Sequence, residues 1–355
     1  METVAREAEA ALSLAVEFSD HVLEVRALSE WGFALVAQGH LAEGFARLDE
    51  AMAAVTGGEI ADVSQAGKCY CTMLSACDRS GEVRRAEEWT AVVSQYVAGY
   101  EGKPRIVATH CRGVYASVLS RVGRWTEAEK AMLEALAPEA SQALNHRAET
   151  TARLAELWLW QGRLSEVEAL LAQFEDCLDC CAPLARLHLA RVEPAVAVAV
   201  IQRGLDEQVG DRVRAASLLG LLVQAGLAAA QPEAARAAAE KLAAIAGESD
   251  APLLRVDAAL AGARVAAADG DLPRAIGLLE AAQRILDEAE ENPLVAGLVH
   301  LELAQVCAGV DPATAVSEAR AALAVFERLG VDREADRAAA LLRSLGEPFQ
   351  VPPPK

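Results

Sequence analysis

A short turn recurs along this chain at near-regular intervals, and no other feature of the sequence restricts the fold as much. It reads Gln38-Gly39-His40-Leu41, Ser80-Gly81-Glu82-Val83, Val122-Gly123-Arg124-Trp125, Gln161-Gly162-Arg163-Leu164 and Asp269-Gly270-Asp271-Leu272. Degenerate copies stand at Val192-Glu193-Pro194, Ala230-Gln231-Pro232 and Val310-Asp311-Pro312. With positions 39, 81, 123, 162, 192, 230, 270 and 310 taken as equivalent marks, the spacings are 42, 42, 39, 30, 38, 40 and 40. Self-similarity at such a period is the signature of stacked supersecondary units. Five residues after each mark come Gly44, Ala86, Ala128, Val167, Ala197, Ala235, Ala275 and Ala315. A small residue there lets two helices of a hairpin approach closely. Glycine at the turn accepts the left-handed conformation that ends a helix.

The segments between the marks are helical by pattern. Leu28, Trp31 and Leu35, or Leu278, Leu279, Ala282, Ile285 and Leu286, follow a 3.6-residue period, and no run alternates with period two. Pro194, Pro232, Pro273 and Pro312 fall two or three residues after their marks, in the first turn of the second helix, where a missing N–H costs nothing. Asp311 is a ready N-cap. Pro183, Pro252 and Pro293 punctuate the junctions between one hairpin and the next. Hydrophobic residues make up 53% of the chain and aromatics only 4%, a composition that suits closely packed helices better than a sandwich or barrel. The expected fold is all-α: one elongated superhelix of about eight hairpins over residues 1–346, with 2–19 a lone capping helix and 332–345 a closing helix. Residues 347–355, which end in Gln350-Val351-Pro352-Pro353-Pro354-Lys355, are expected to form a disordered tail.

Charge excludes one class of function. The 355 residues carry a formal charge of −19, the wrong sign for a protein that tracks a phosphate backbone, so no direct nucleic-acid binding is expected. The uncharged run Ala215–Pro232 approaches bilayer length, but Ser217, Gln224, Gln231 and Pro232 dilute it, and it reads as a buried helix. The charged N-terminus, Met1-Glu2-Thr3-Val4-Ala5-Arg6-Glu7, reads as amphipathic helix and not as a signal peptide. The expectation is a cytoplasmic protein with reduced cysteines and no membrane contact.

Helix–turn–helix units with this pattern resemble tetratricopeptide (TPR) repeats, with Gly32, Gly39, Leu48 and Ala51 matching in the first unit and Ala116, Gly123, Ala128 and Ala135 in the third. Gly67-Lys68-Cys69-Tyr70-Cys71, Ser75-Ala76-Cys77-Asp78-Arg79, His110-Cys111-Arg112 and the terminal Asp336–Gly346 stretch look like the helical region of LuxR-type bacterial transcriptional regulators. The resemblance implies a non-enzymatic sensing or partner-binding module, and the DNA-binding segment that follows that region in those regulators has no counterpart in this sequence. In TPR arrays the first helix of each hairpin lines the concave surface. Transferred by the turn marks, that rule points Arg26, Lys68, Cys71, Ser75, Arg79, His110, Ser117, Ser120, Arg121, Glu149, Glu156 and Trp160 towards the groove. Arg26, Lys68, Arg79 and Arg121 would form a cationic stripe inside an acidic molecule, suited to an acidic peptide or protein end or to a small anionic effector. The same residues could instead pair with neighbouring carboxylates. A homo-oligomer is also compatible with such an array.

Chemistry-bearing motifs are sparse. The six histidines include no H-E-x-x-H, and neither G-x-S-x-G nor a P-loop occurs. No catalytic residue, cofactor or metal ligand is assigned, and the chain is not expected to be an enzyme. The alternative is a redox- or metal-responsive protein using Cys177, Cys180 and Cys181, which a continuous helix would place on one face near His188. Cys69, Cys71 and Cys77 do not share a helical face.

Overall fold

The computed structural model describes the backbone of residues 1–98, 105–137, 144–207, 210–289 and 292–347, and the side chains of 1–93, 111–137, 146–207, 210–288 and 292–347. The expected Pro-rich tail beyond 347 lies outside the described residues. Eighteen α-helices and one 3-10 turn make up the described chain, with no strand. Helix α1 (Glu2–Phe18) stands alone at the N-terminus, and eight antiparallel hairpins follow. They are α2 (His21–Gln38) with α3 (Leu41–Thr56), α4 (Val63–Ser80) with α5 (Val83–Ala98), α6 (Arg105–Arg121) with α7 (Trp125–Leu136), and α8 (Leu144–Trp160) with α9 (Leu164–Leu171). Then come α10 (Cys181–Ala190) with α11 (Pro194–Glu207), α12 (Arg212–Ala228) with α13 (Pro232–Gly247), α14 (Pro252–Ala268) with α15 (Leu272–Ala289), and α16 (Pro293–Cys307) with α17 (Pro312–Leu329). Helix α18 (Asp332–Ser344) closes the series. Each hairpin turn falls on a sequence mark.

Local chemistry explains the boundaries. Gly39, Gly81, Gly123, Gly162 and Gly270 are all left-handed, with φ between 74° and 89°. Asp20, Asp62, Asp211 and Asp311 cap their helices by accepting from Leu23, Ser64, Arg214 and Thr314 backbone N–H groups. Pro232, Pro252, Pro293 and Pro312 each open a helix. The residues five past the marks are the tightest points of the hairpins: Ala86, Ala128, Val167, Ala197, Ala235, Ala275 and Ala315 are all 0% exposed. In the first hairpin a Cβ on Gly32 would stand 2.6 Å from the Gly44 carbonyl oxygen, and one on Gly44 would stand 2.8 Å from that of Gly32. Two facing glycines therefore set the spacing of α2 and α3, because each side would otherwise meet backbone that cannot move aside.

Stacked hairpins bury a continuous core, and here the stack also returns upon itself. In the loop between α13 and α14, the Asp250 carboxylate accepts from the backbone N–H of Leu41 at 2.6 Å and of Ala42 at 2.8 Å. Ser249 donates its hydroxyl to the Gly39 carbonyl at 2.6 Å. Helix α3 has no side-chain cap of its own from His40, so a residue 209 positions away in sequence satisfies its N-terminus. Further along, Leu119, Trp125 and Leu157 share one core cluster with Leu301, Phe326 and Leu329 of the last hairpin. Helix α12 packs against α2 and α4 across the coil. The chain itself thus partly closes over the concave side.

Candidate functional site

The first helices of seven hairpins face inwards, and α4, α6, α8, α10, α12, α14 and α16 line a central cavity of about 490 Å3. A second cavity of about 360 Å3, reaching α18, shares Trp160, Arg186, Gln224, Arg264 and Leu298 with it. These volumes fall in the ordinary range of ligand sites. The wall mixes apolar strips, such as Leu218, Leu221, Leu254, Leu260, Leu294 and Leu298, with charged side chains.

The charges are arranged in pairs. Asp78, at the end of α4, ties three helices together: Ser117 donates to its Oδ1 at 2.6 Å and Arg153 to its Oδ2 at 3.1 Å. Arg121 donates to the Asp78 carbonyl at 2.9 Å. Burial works against the Asp78 charge, but Arg153, Arg121 and the Ser117 bond outweigh it and hold the carboxyl below its usual range. Arg153 also lies 3.6 Å from Glu149. Arg79 pairs with Asp211. Arg186 pairs with Glu156 at 3.2 Å, Arg214 with Asp179 at 2.6 Å and Arg264 with Glu302 at 2.7 Å. Burial pushes Asp179 up despite Arg214. Asp257, in the middle of α14, makes no hydrogen bond or ion pair among the described residues. Burial pushes its carboxyl up to about 6, with Arg186, Arg264 and Arg121 opposing the rise.

The sequence-derived groove residues divide accordingly. Arg79, Ser117, Ser120, Arg121, Glu149, Glu156 and Trp160 line the cavity. Arg26, Lys68, Cys71 and Ser75 do not. Arg26 is engaged with Glu30 at 2.6 Å on its own helix, and Lys68 is exposed. The His110 side chain lies outside the described residues. The cationic stripe is therefore corrected: Arg26 and Lys68 sit away from the cavity, and Arg79 and Arg121 are matched by carboxylates of neighbouring helices. Arg186 lies 5.6 Å over the Trp160 ring, whereas Trp158 is buried and donates to Glu129 at 2.8 Å.

The cysteines depart from expectation at two places. Cys71 and Cys111 form a disulfide between α4 and α6, with Cα atoms 5.4 Å apart, so the expectation that every thiol is reduced is corrected at this pair. The reason is geometric: first helices of consecutive hairpins lie side by side and bring the two positions within bridging distance. The metal- or redox-active Cys177, Cys180 and Cys181 face is corrected too. Cys177 precedes a 3-10 turn and Cys181 opens α10, so no single helix carries them. Cys180 and Cys181 are buried in different core clusters, and His188 pairs with Glu193 at 2.7 Å. Among the described residues no group of three or more His, Cys, Asp or Glu could hold a metal ion.

Half of the wall was missed from sequence, although the signal for it exists. The rule that selects Glu149 and Glu156 takes positions thirteen and six before a mark. Carried to the later marks 192, 230 and 270 it selects Asp179 and Arg186, Ser217 and Gln224, and Asp257 and Arg264, all of which line the cavity.

No family model matches the chain, and no curated protein matches it. Solved structures do. The crystal structure of the APC/C hetero-tetramer Cut9–Hcn1 is similar at a TM-score of 0.59 and 14% identity, over 94% of this chain and 58% of that one. The crystal structure of Rap protein complexed with Competence and Sporulation Factor is similar at a TM-score of 0.51 and 11% identity, over 92% of this chain and 97% of that one. Both are TPR-containing helical-repeat proteins. The fold is a TPR-like α-solenoid. At these identities the likeness establishes the fold alone, and this chain spans little more than half of the Cut9 chain. Among the described residues no helix is long and apolar enough to cross a membrane, and α12, which carries the uncharged run, is largely buried.

Proposed function

We propose that this chain is a non-catalytic binding module whose central cavity receives a short peptide or the extended end of a protein partner. The observation that carries the reading is the wall itself, in which apolar strips alternate with arginine–carboxylate pairs along seven inward-facing helices. Such a surface offers hydrogen-bonding side chains at repeat spacing to a main chain, and apolar strips to its side chains. Support also comes from the two structural neighbours, one crystallised with Competence and Sporulation Factor and the other within a hetero-tetramer. Because the arginines are charge-matched, a simple anionic effector gains little over a peptide. The sequence resemblance to the sensory region of LuxR-type regulators extends the proposal to a regulatory, cytoplasmic role.

Gly220 supplies the test. It lines the cavity, and a Cβ there would meet only the Leu242 Cδ2 at 4.0 Å. Gly220→Phe therefore sets a large ring at the cavity wall from a Cβ that meets no close atom, and loss of a mid-helix glycine favours the helix by up to about 1 kcal/mol. Immobilised wild-type protein is expected to enrich members of a pool of random pentapeptides, read by mass spectrometry, and Gly220→Phe to enrich none while keeping its melting temperature. Equal enrichment by the two proteins would refute the reading.

A further inference from the structure

The charge balance of the cavity leaves one group over. Six arginines line the central cavity: Arg79, Arg121, Arg153, Arg186, Arg214 and Arg264. Their carboxylate partners are Asp211, Asp78, Glu149, Glu156, Asp179 and Glu302. Each pairing joins different helices or successive turns, so these charges are committed to holding the wall in shape. Asp257 is the seventh carboxylate. It projects from the middle of α14 among Leu253, Leu254, Leu260 and, across the cavity, Leu298. The residue is half-buried, lines the cavity and makes no hydrogen bond or ion pair among the described residues, so its carboxylate oxygens are open to a donor. The group is poised for a donor that arrives with the ligand.

We propose that Asp257 is the anchor of the cavity, and that it binds a primary ammonium group, the free N-terminus of the peptide. This deepens the binding reading above and rests on it. The chemistry of the donor follows from the surroundings. A guanidinium would be a seventh arginine-sized group in a wall already occupied by six, whereas an ammonium is compact and carries three donors. Arg186, Arg264 and Arg121 do not forbid it, because Glu156, Glu302 and Asp78 already neutralise them. The ammonium then restores local neutrality, and charge-assisted hydrogen bonds in so enclosed a place are stronger than those at the surface. The remainder of the peptide would run along the leucines of α12, α14 and α16.

The test uses the full chain and two pools of random pentapeptides lacking lysine, identical except that one has free and the other acetylated N-termini. A third pool, acetylated but containing lysine, separates the peptide terminus from a lysine side chain as the source of the ammonium. Wild type is expected to enrich the free pool at least tenfold over the acetylated, lysine-free pool. Asp257→Asn, which keeps the shape and removes the charge, is expected to lose that preference while remaining folded by circular dichroism. Equal retention of free and acetylated pools by wild type overturns the anchor and leaves the peptide cavity standing. So does a preference unchanged in Asp257→Asn. Recovery of binding only in the lysine-containing pool overturns the assignment to the N-terminus. Retention of no pool by wild type removes both proposals.

Discussion

The glycine turns of the first three hairpins and those of the fourth and seventh share a backbone conformation but not a role. Gly39, Gly81 and Gly123 are left-handed, and so are Gly162 and Gly270. The space around them differs. A Cβ on Gly39 would stand 2.6 Å from the Ser249 hydroxyl, one on Gly123 would stand 2.6 Å from Leu329 Cδ2, and one on Gly81 would run into Leu253. At Gly162 and Gly270 there is nothing within 4 Å. Two demands thus produce the same residue. At the open turns glycine serves only to end a helix, while at the first three it also forms the seat onto which the distant part of the coil closes. A repeat can therefore be periodic in sequence and still be specialised by position.

Alanine separates the two demands, with the largest effect expected at the seats. Gly270→Ala meets only the left-handed conformation and should cost about 1–2 kcal/mol. Gly81→Ala meets that cost and the Leu253 side chain as well, for a total of roughly 2–5 kcal/mol. Denaturant midpoints of the two variants check the difference, and equal losses would mean that the closure seen at Gly81 contributes nothing. Because closure also shapes the cavity, Gly81→Ala should weaken peptide retention where Gly270→Ala does not.

The same contrast runs along the wall. Asp78, in the second hairpin, is fully engaged and has its carboxyl held below the usual range, whereas Asp257, in the seventh, has no partner and is pushed up to about 6. The groups facing Asp257 are Arg186, Arg264 and Arg121. A carboxyl raised above its unfolded value opposes folding once it ionises, so its cost is present above pH 6 and fades as the pH falls towards the ordinary carboxylate range. Asp257→Asn is expected to be more stable at pH 8 by on the order of 1–2 kcal/mol after allowing for its half-buried setting, read as a higher melting temperature. The advantage should shrink to nothing near pH 4. A variant that melts lower than wild type at pH 8 would show that Asp257 is already satisfied without ligand.

Asp250 tests the closure from its other side. It accepts from Leu41 and Ala42 and replaces the cap that His40 does not provide. Asp250→Ala should cost about 1 kcal/mol, the ordinary value of an N-cap. It should also increase the radius of gyration measured by X-ray scattering, since the bond it removes spans 209 residues. An identical scattering curve would mean that the other closure contacts, Ser249 on Gly39 and the apolar packing of Leu119, Trp125, Leu301, Phe326 and Leu329, hold the coil without Asp250.

The hairpins were legible because their determinants are local: a glycine, a proline at helix start, an alanine five residues past the turn. The lining of the first wall followed from the same spacing, and Arg79, Ser117, Arg121, Glu149 and Trp160 stand where a concave face requires. Closure was not legible. It depends on the small rotation between successive hairpins summed over the stack, which no single spacing encodes, so Asp250 and Leu41 give no sign in sequence of meeting. The pairing of the arginines lies between these cases. Arg121 with Asp78, Arg264 with Glu302 and Arg214 with Asp179 are 43, 38 and 35 residues apart, close to one repeat. Unlike signs at repeat spacing are thus the sequence trace of a wall that neutralises itself. The same spacing places Asp257 on the wall, but that it stands without a partner emerges only once the other charges of the central cavity have been assigned.

The smallest effect concerns the degenerate turns. Val192 and Ala230 adopt φ of 62° and 55° where other hairpins use glycine, and Val192 is 85% exposed. No contact compensates a β-branched side chain there, so the stacking of α10 and α11 alone must impose the turn. Val192→Gly relieves a left-handed cost of about 1–2 kcal/mol. It also enlarges the unfolded ensemble, which takes back about 0.4–1 kcal/mol. The net stabilisation should be roughly 0.5 kcal/mol, readable as a small rise in denaturant midpoint with the slope unchanged. The sign matters more than the size. A gain would show that the turn persists because the hairpins on either side enforce it. A loss would show that the Val192 side chain stabilises the turn, and glycine and non-glycine turns would then be two different structures sharing one φ.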